Sequence, residues 1–377
     1  MADGVGQREP GRQPSSDVAE IWSKRPRRRI RRGQLVAALA LAVGVGVASA
    51  AYSFWLPPRA APTRSASTSS STLPSPRSGA AMAYDPQTQT TILFGGDDEG
   101  RTLDDTWSWN GSSWTELHPA TSPIALAGAM LAYDPESRWL VLAGGTTEAP
   151  GGNPDNTSTW TWNGSTWRLE PSGGVEAPAG SVLASDPATE QVILVDTADP
   201  HGVETWLWNS GSWVELHPAT SPPRSGPLAF DTETNRLVLV ALPDALDVTA
   251  PSPTVVWSWV GSTWASQPAT TAVDLTTGEG SASLATSADG LLMLTSTDTY
   301  RWTPPAWSDT RSRPDPARIG AAIAYDASRR QVVVFGGNCT SCLGLPLVDL
   351  GDTWTWDGSW APRAGATRPQ PTGTPAA

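Results

Sequence analysis

Asp105-Thr106-Trp107-Ser108-Trp109-Asn110-Gly111-Ser112-Ser113-Trp114 is the stretch around which this 377-residue chain is organised. It returns as Thr159-Trp160-Thr161-Trp162-Asn163-Gly164-Ser165-Thr166-Trp167 and as Thr205-Trp206-Leu207-Trp208 running on to Trp213. Val256-Trp257-Ser258-Trp259 to Trp264 and Asp352-Thr353-Trp354-Thr355-Trp356 to Trp360 are further copies, and Tyr300-Arg301-Trp302 to Trp307 is a degenerate one. Trp-x-Trp alternates with period two, which sets both rings on one face of a strand. The Asn-Gly that follows is a tight hairpin signal, so the last Trp opens the next strand. Each buried ring removes about 150–250 Å2 from water, enough for three per copy to join neighbouring sheets without a long aliphatic core.

Two more strings precede each signature. Pro76-Arg77-Ser78-Gly79-Ala80-Ala81-Met82-Ala83-Tyr84-Asp85 is echoed by Gly128 to Asp134, Pro223 to Asp231 and Arg318 to Asp326. Ile92-Leu93-Phe94-Gly95-Gly96 is matched by Val141 to Gly145 and by Val333 to Gly337. Each unit therefore reads as four short strands: a small apolar one, an apolar run ended by a glycine pair that permits positive φ or close backbone approach, then the two tryptophan strands. Copies separated by forty- to fifty-odd residues fit a propeller period and not a helical solenoid.

These strings resemble kelch repeats, the β-propeller family that includes the central domain of galactose oxidase. The resemblance covers residues 76–360 and implies an all-β, six-bladed kelch-type β-propeller, with a single transmembrane helix expected ahead of it. The third unit departs from the pattern, with Val195-Asp196 at the glycine pair; the fourth has Val240-Ala241, and the fifth keeps only strand pattern and two tryptophans. Sialidase-type propellers also carry Ser, Gly and Trp in hairpins, but their box has another spacing and supplies no glycine pair. The order of strings leaves each blade continuous, while the mode of ring closure stays open.

Outside the repeats, residues 1–33 form a basic tail with Lys24-Arg25-Pro26-Arg27-Arg28-Arg29 at its end, and 34–56 is uncharged and apolar. Leu35 to Leu56 matches the roughly 20 residues that cross a bilayer as a helix. Flanking basic residues stay cytoplasmic, so the expectation is a single-pass cell-membrane protein, amino terminus inside and propeller outside. Ala48-Ser49-Ala50 leaves open the alternative of a protein secreted after signal cleavage. Residues 57–75, rich in Pro, Ser and Thr, read as an extended stalk, and 361–377 as a flexible tail.

Nine Lys/Arg against four acids in the first 33 residues leave sixteen basic against thirty-three acidic beyond them. So acidic an outer part repels phosphate backbones, and nucleic-acid binding is not expected. Cys339-Thr340-Ser341-Cys342 holds both cysteines; in a loop, outside the cytoplasm, and without a second CxxC or nearby His, the pair is expected to form a local disulfide. His118 and His217 both sit in Glu-Leu-His-Pro-Ala-Thr-Ser-Pro and read as linkers between units, while His201 stands alone. Tyr84, Tyr133 and Tyr325 are repeat positions and are expected to be structural, so no copper site can be assembled. Asp97-Asp98-Glu99 and Asp104-Asp105 read as a solvated loop surface. Asn110, Asn156, Asn163 and Asn338 match the glycosylation acceptor pattern, though turn geometry already accounts for Asn110 and Asn163.

By resemblance to ligand-binding kelch propellers, Arg77, Arg224 and Arg318 occupy a position that points into the mouth of the central channel, a cationic ring for an acidic peptide or sugar. The competing reading is that each pairs with a carboxylate and fixes packing. No catalytic set, metal site or cofactor is expected. The sequence thus points to a membrane-anchored extracytoplasmic module binding a protein or glycan at the cell surface, the alternative being a carbohydrate-active enzyme such as an epimerase, oxidase or hydrolase.

Overall fold

Each copy of the repeat folds into one four-stranded antiparallel sheet. The computed structural model describes residues 73–147, 157–171, 174–175, 177–178, 180–196, 203–241, 255–269, 271, 273, 282–340, 342 and 348–363. In the first sheet the strands are Ala81–Asp85, Thr90–Phe94, Thr106–Trp109 and Trp114–Leu117, in that spatial order. The sixth repeats it with Ala322–Asp326, Gln331–Phe335, Thr353–Trp356 and Trp360–Pro362. Four more sheets lie between, starting from Ala127–Asp134, Val182–Asp186, Leu228–Asp231 and Ser283–Ser287. These six first strands contact one another in cyclic order, the sixth against the first, so they are the innermost.

The tryptophans do what their spacing requires. Trp107 and Trp109 lie in one cluster with Val333 and Phe335 of the sixth sheet, so both rings face the same neighbour. The second ring of each pair stands directly opposite the ring that opens the outermost strand, as in Trp109 with Trp114 and Trp162 with Trp167. Centroids of these tilted ring pairs are 4.9–5.5 Å apart in all six sheets. Between them, Asn110 and Asn163 each accept two backbone N–H bonds at 3.0 Å, closing the hairpin.

A second interaction ties sheet to sheet. In five of the six sheets the indole Nε1 of the outermost strand donates to the threonine that opens the Trp-x-Trp or Tyr-x-Trp strand of the preceding sheet: Trp167 to Thr106, Trp213 to Thr159, Trp264 to Thr205 and Trp360 to Thr299, at 2.9–3.0 Å. Trp114 donates to Thr353 at 2.9 Å and also packs on Phe335, so the same bond joins the first sheet to the sixth. Closure therefore uses no strand exchange in the four-stranded sheets. It is completed at the chain's start, where Gly337 N–H donates to Arg77 O and Gly79 N–H to Gly320 O, both at 2.8 Å.

The glycine pairs serve these inter-sheet junctions. Gly336 and Gly337 have φ of 68° and 93°, and a Cβ on Gly336 would fall 2.4 Å from Arg77 O. Both freedoms of glycine are needed here, positive φ and close approach. His118 and His217 sit, exposed, in the connections between sheets; a few residues on, Thr121 and Thr220 bond the next sheet's Trp167 and Trp264. Cys339 and Cys342 are joined by a disulfide, in a hairpin where Asn338–Cys339 pairs with both Arg318–Ile319 and Val348–Asp349. Residues 34–56 lie outside the described residues, and among those described no helix is long and apolar enough to cross a membrane.

Candidate functional site

The innermost strands surround a cavity of about 480 Å3, built in tiers that follow from one short sequence pattern. The first tier is aliphatic: Met82, Leu131, Leu183, Leu228, Leu284 and Ile323. One residue on, every sheet has alanine: Ala83, Ala132, Ala184, Ala229, Ala285 and Ala324. Six equivalent positions filled by the smallest chiral side chain leave open the room that larger residues would close. One residue further stands a half-buried collar of Tyr84, Tyr133, Ser185, Phe230, Thr286 and Tyr325. The lining then continues into the turns at Pro86, Pro187, Thr232 and Ala327, so the collar stands at the turn end.

A buried carboxylate in five sheets fixes this end. Asp85, Asp134, Asp186 and Asp231 each accept the backbone N–H two residues on, at 2.9–3.1 Å, and Asp326 accepts that of Arg329. In the fifth sheet Ser287 takes the position and accepts from Asp289 N–H. These short-range bonds hold the turn, and with it the collar residue immediately before the acid. At the other end, Gly128 N–H donates to Gly79 O at 2.7 Å, continuing the bond from Gly79 to Gly320 and drawing three neighbouring innermost strands together.

The collar is aromatic and weakly polar. Tyr325, Tyr84 and Tyr133 come from consecutive sheets, and Phe230 from the sheet opposite Tyr84. Burial pushes the phenol pKa of Tyr133 up, with Asp85 and Asp134 adding and Arg138 opposing. Burial also raises that of Tyr325, where Arg330 opposes and Asp289 and Asp326 add. Both rings are thus neutral hydrogen-bond donors at physiological pH. Thr286 Oγ1 donates to Phe230 O at 2.7 Å, whereas Ser185 Oγ is buried without a partner.

The arginines expected at a channel mouth lie elsewhere. Arg77 is 1% exposed, and all five of its N–H donors are used. Nη1 and Nη2 grip Asp105 at 2.6 and 2.8 Å, and Ser75 O, Ser75 Oγ and Gly95 O take the rest. Arg318 repeats the clasp on Asp352 at 2.7 and 2.9 Å, with Pro316 O and Gly336 O. The same carboxylates accept from Trp107 Nε1 and Trp354 Nε1. The first residue of the Asp-Thr-Trp signature is therefore the anchor for its own sheet's arginine. Arg224 is exposed, and none of the three lines the cavity. A cationic ring is corrected to two internal clasps, because a buried guanidinium takes its carboxylate from its own sheet.

The tyrosines, expected at structural repeat positions, line the cavity. Their signal was the larger residue set between an alanine and an aspartate in an otherwise small strand. Asp98 pairs with Arg101 at 3.7 Å, and the Asp349 carboxylate accepts the backbone N–H of Glu99 at 2.9 Å, so Asp98 and Asp349 are engaged in loop contacts. Among the described residues no group of three His, Cys, Asp or Glu is placed to hold a metal ion. His201 and Asn156 lie outside the described residues.

All-β, with four-stranded antiparallel sheets set side by side around a lined channel, the described part of the chain has the architecture of a β-propeller. The solved structure of YjhT matches with a TM-score of 0.52 at 13% identity, over 77% of this chain and 98% of that one. At that identity the likeness is one of fold alone. No protein-family model and no curated protein matches the sequence.

Proposed function

We propose that this chain is a six-bladed kelch-type propeller, carried outside the membrane on the 34–56 anchor, that binds a cell-surface protein or glycan at the turn end of its channel. The observation that carries the reading is the collar: three tyrosines and a phenylalanine around the mouth of an apolar cavity of about 480 Å3. Pockets of this size, mostly apolar with a few polar groups converging on them, are the usual form of a ligand site. Tyrosine at such a mouth offers large contact area at small entropic cost. The basic run ahead of the apolar segment supports the orientation, since flanking Arg and Lys stay cytoplasmic.

The test is an array of glycans and surface-protein peptides probed with the full chain, wild type and the Tyr84→Ala, Tyr325→Ala double variant. Loss of captured ligands in the double variant, with an unchanged melting temperature, supports the mouth as the binding face. Equal capture by both proteins moves the binding face elsewhere. Alkaline extraction of expressing cells tests the anchor, and release of the full-length chain into the supernatant would refute it.

A further inference from the structure

The mouth has a chemistry more specific than aromatic. We propose that it receives an amphiphilic cation, an apolar group filling the alanine tier with an ammonium head held at the collar. The inference rests on the turn end being the binding face. Three features of that end carry it.

The first is the polarity of the interior. From Met82 through the six alanines the lining is hydrocarbon, and of the collar hydroxyls Thr286 is already committed to Phe230 O. A sugar ring seated at this depth would bring several hydroxyls past a lining that offers few partners, and each unmatched one opposes binding. An apolar group has no such penalty, and the orphaned Ser185 Oγ can satisfy a single polar atom.

The second is charge. Asp85, Asp134, Asp186, Asp231 and Asp326 stand behind the collar, each at the foot of an innermost strand. Exposed Glu136, Glu190, Glu233 and Asp289 lie in the turns that form the rim. Against these nine acids the same hairpins carry Arg138, Arg236, Arg329 and Arg330, of which Arg329 is bound to Asp326 at 2.8 Å, while Asp289 is paired with Arg301 at 3.8 Å, so acids stay in excess. With no arginine in the lining, the field at the mouth attracts cations and repels carboxylates.

The third is the collar itself. Tyr84, Tyr133 and Tyr325 from one arc, and Phe230 facing them, bring aromatic rings around the point where a head group would sit. Ring faces attract ammonium groups, and quaternary ones most readily where the carrier is partly desolvated.

The experiment uses full-length protein in lipid nanodiscs, with empty nanodiscs as the blank. Hexyltrimethylammonium, 1-hexanol and hexanoate, which share one chain and differ in the charge of the head, are titrated by calorimetry at low and high salt. The expected result is hexyltrimethylammonium binding about tenfold tighter than hexanol, weakening with salt, with hexanoate weakest. Ala229→Met, which fills the alanine tier, abolishes binding, and Ala184→Met repeats the test from the neighbouring sheet should the first variant melt early. Tyr84→Leu with Tyr325→Leu keeps the apolar volume and brings the cation down to the affinity of hexanol. Equal binding of cation and alcohol, or preference for hexanoate, overturns the cation while leaving the mouth as a binding face. Binding that survives both methionine variants, or no binding by any probe, overturns the mouth as well.

Discussion

One residue before the first aromatic ring of each pair, five sheets place threonine and the fourth places Val256. The consequence appears one sheet on: Trp307 Nε1 is buried with no hydrogen-bond partner, while its five counterparts donate to threonine. Val256→Thr should therefore stabilise the fold, by about 0.5–1.5 kcal/mol for a bond made to an already buried donor. Thr205→Val should do the reverse, leaving Trp264 Nε1 orphaned at a cost of about 1–3 kcal/mol. Urea denaturation of the two variants decides it, since shifts of the same sign would remove the hydrogen bond from the account. The arginine clasps give a second contrast. Asp352 is 7% exposed and Asp105 23%, so Arg318→Met strands the more deeply buried carboxylate. It should cost about 3–5 kcal/mol, the range for an uncompensated buried charge, and Arg77→Met less. An equal loss at both sites would mean that the desolvated carboxylate is not the source of the cost.

At the scale of elements, what was legible in the sequence was local. Trp-x-Trp, Asn-Gly and Ala-Tyr-Asp act over a few residues, so strand, hairpin and turn could be read from period and turn chemistry. The glycine pair was legible too, and its use can be tested: Gly336→Ala must place a methyl 2.4 Å from Arg77 O at a φ of 68°. Strain at positive φ alone costs about 1–3 kcal/mol, and the clash adds to it, so a lowered melting temperature is expected. An unchanged one would show that this junction relaxes freely. The third and fourth sheets make the same four strands without the pair, through Val195-Asp196 and Val240-Ala241. The pair thus belongs to junctions between sheets and not to strand formation. The cavity was not legible, because it gathers one alanine and one collar residue from each of six segments far apart in sequence. Each tyrosine, met alone, reads as one more repeat residue. Arg77 and Arg318 show the converse: their repeat position was visible, but the direction of a side chain depends on which carboxylate the fold brings within reach.

Across the whole molecule, composition isolates one titration. The sole lysine is Lys24, ahead of the described residues, and both cysteines are bonded to each other. Above neutrality the sheets therefore have tyrosine as their main titrating side chain, since arginine keeps its proton throughout. Tyr133 and Tyr325 have pKa values raised above 10.0 by burial. A raised value means that the folded state holds these protons more tightly than the unfolded chain. Their contribution to stability is then complete below pH 10, where both states are protonated. It is lost as pH rises through the raised values, because the unfolded chain releases its protons first. The urea midpoint should be flat up to the unperturbed value and fall beyond it. In a Tyr133→Phe, Tyr325→Phe variant, the fall over that window should be shallower, and the phenolate absorbance should lose its latest component. Identical alkaline slopes in the two proteins would remove these two phenols from the account. Because the two rings also stand at the channel mouth, an ammonium head seated against them should favour the phenolates, bring their folded-state pKa values back toward the unfolded one and make the alkaline fall shallower. A titration of stability alone would in that way report whether the collar is covered.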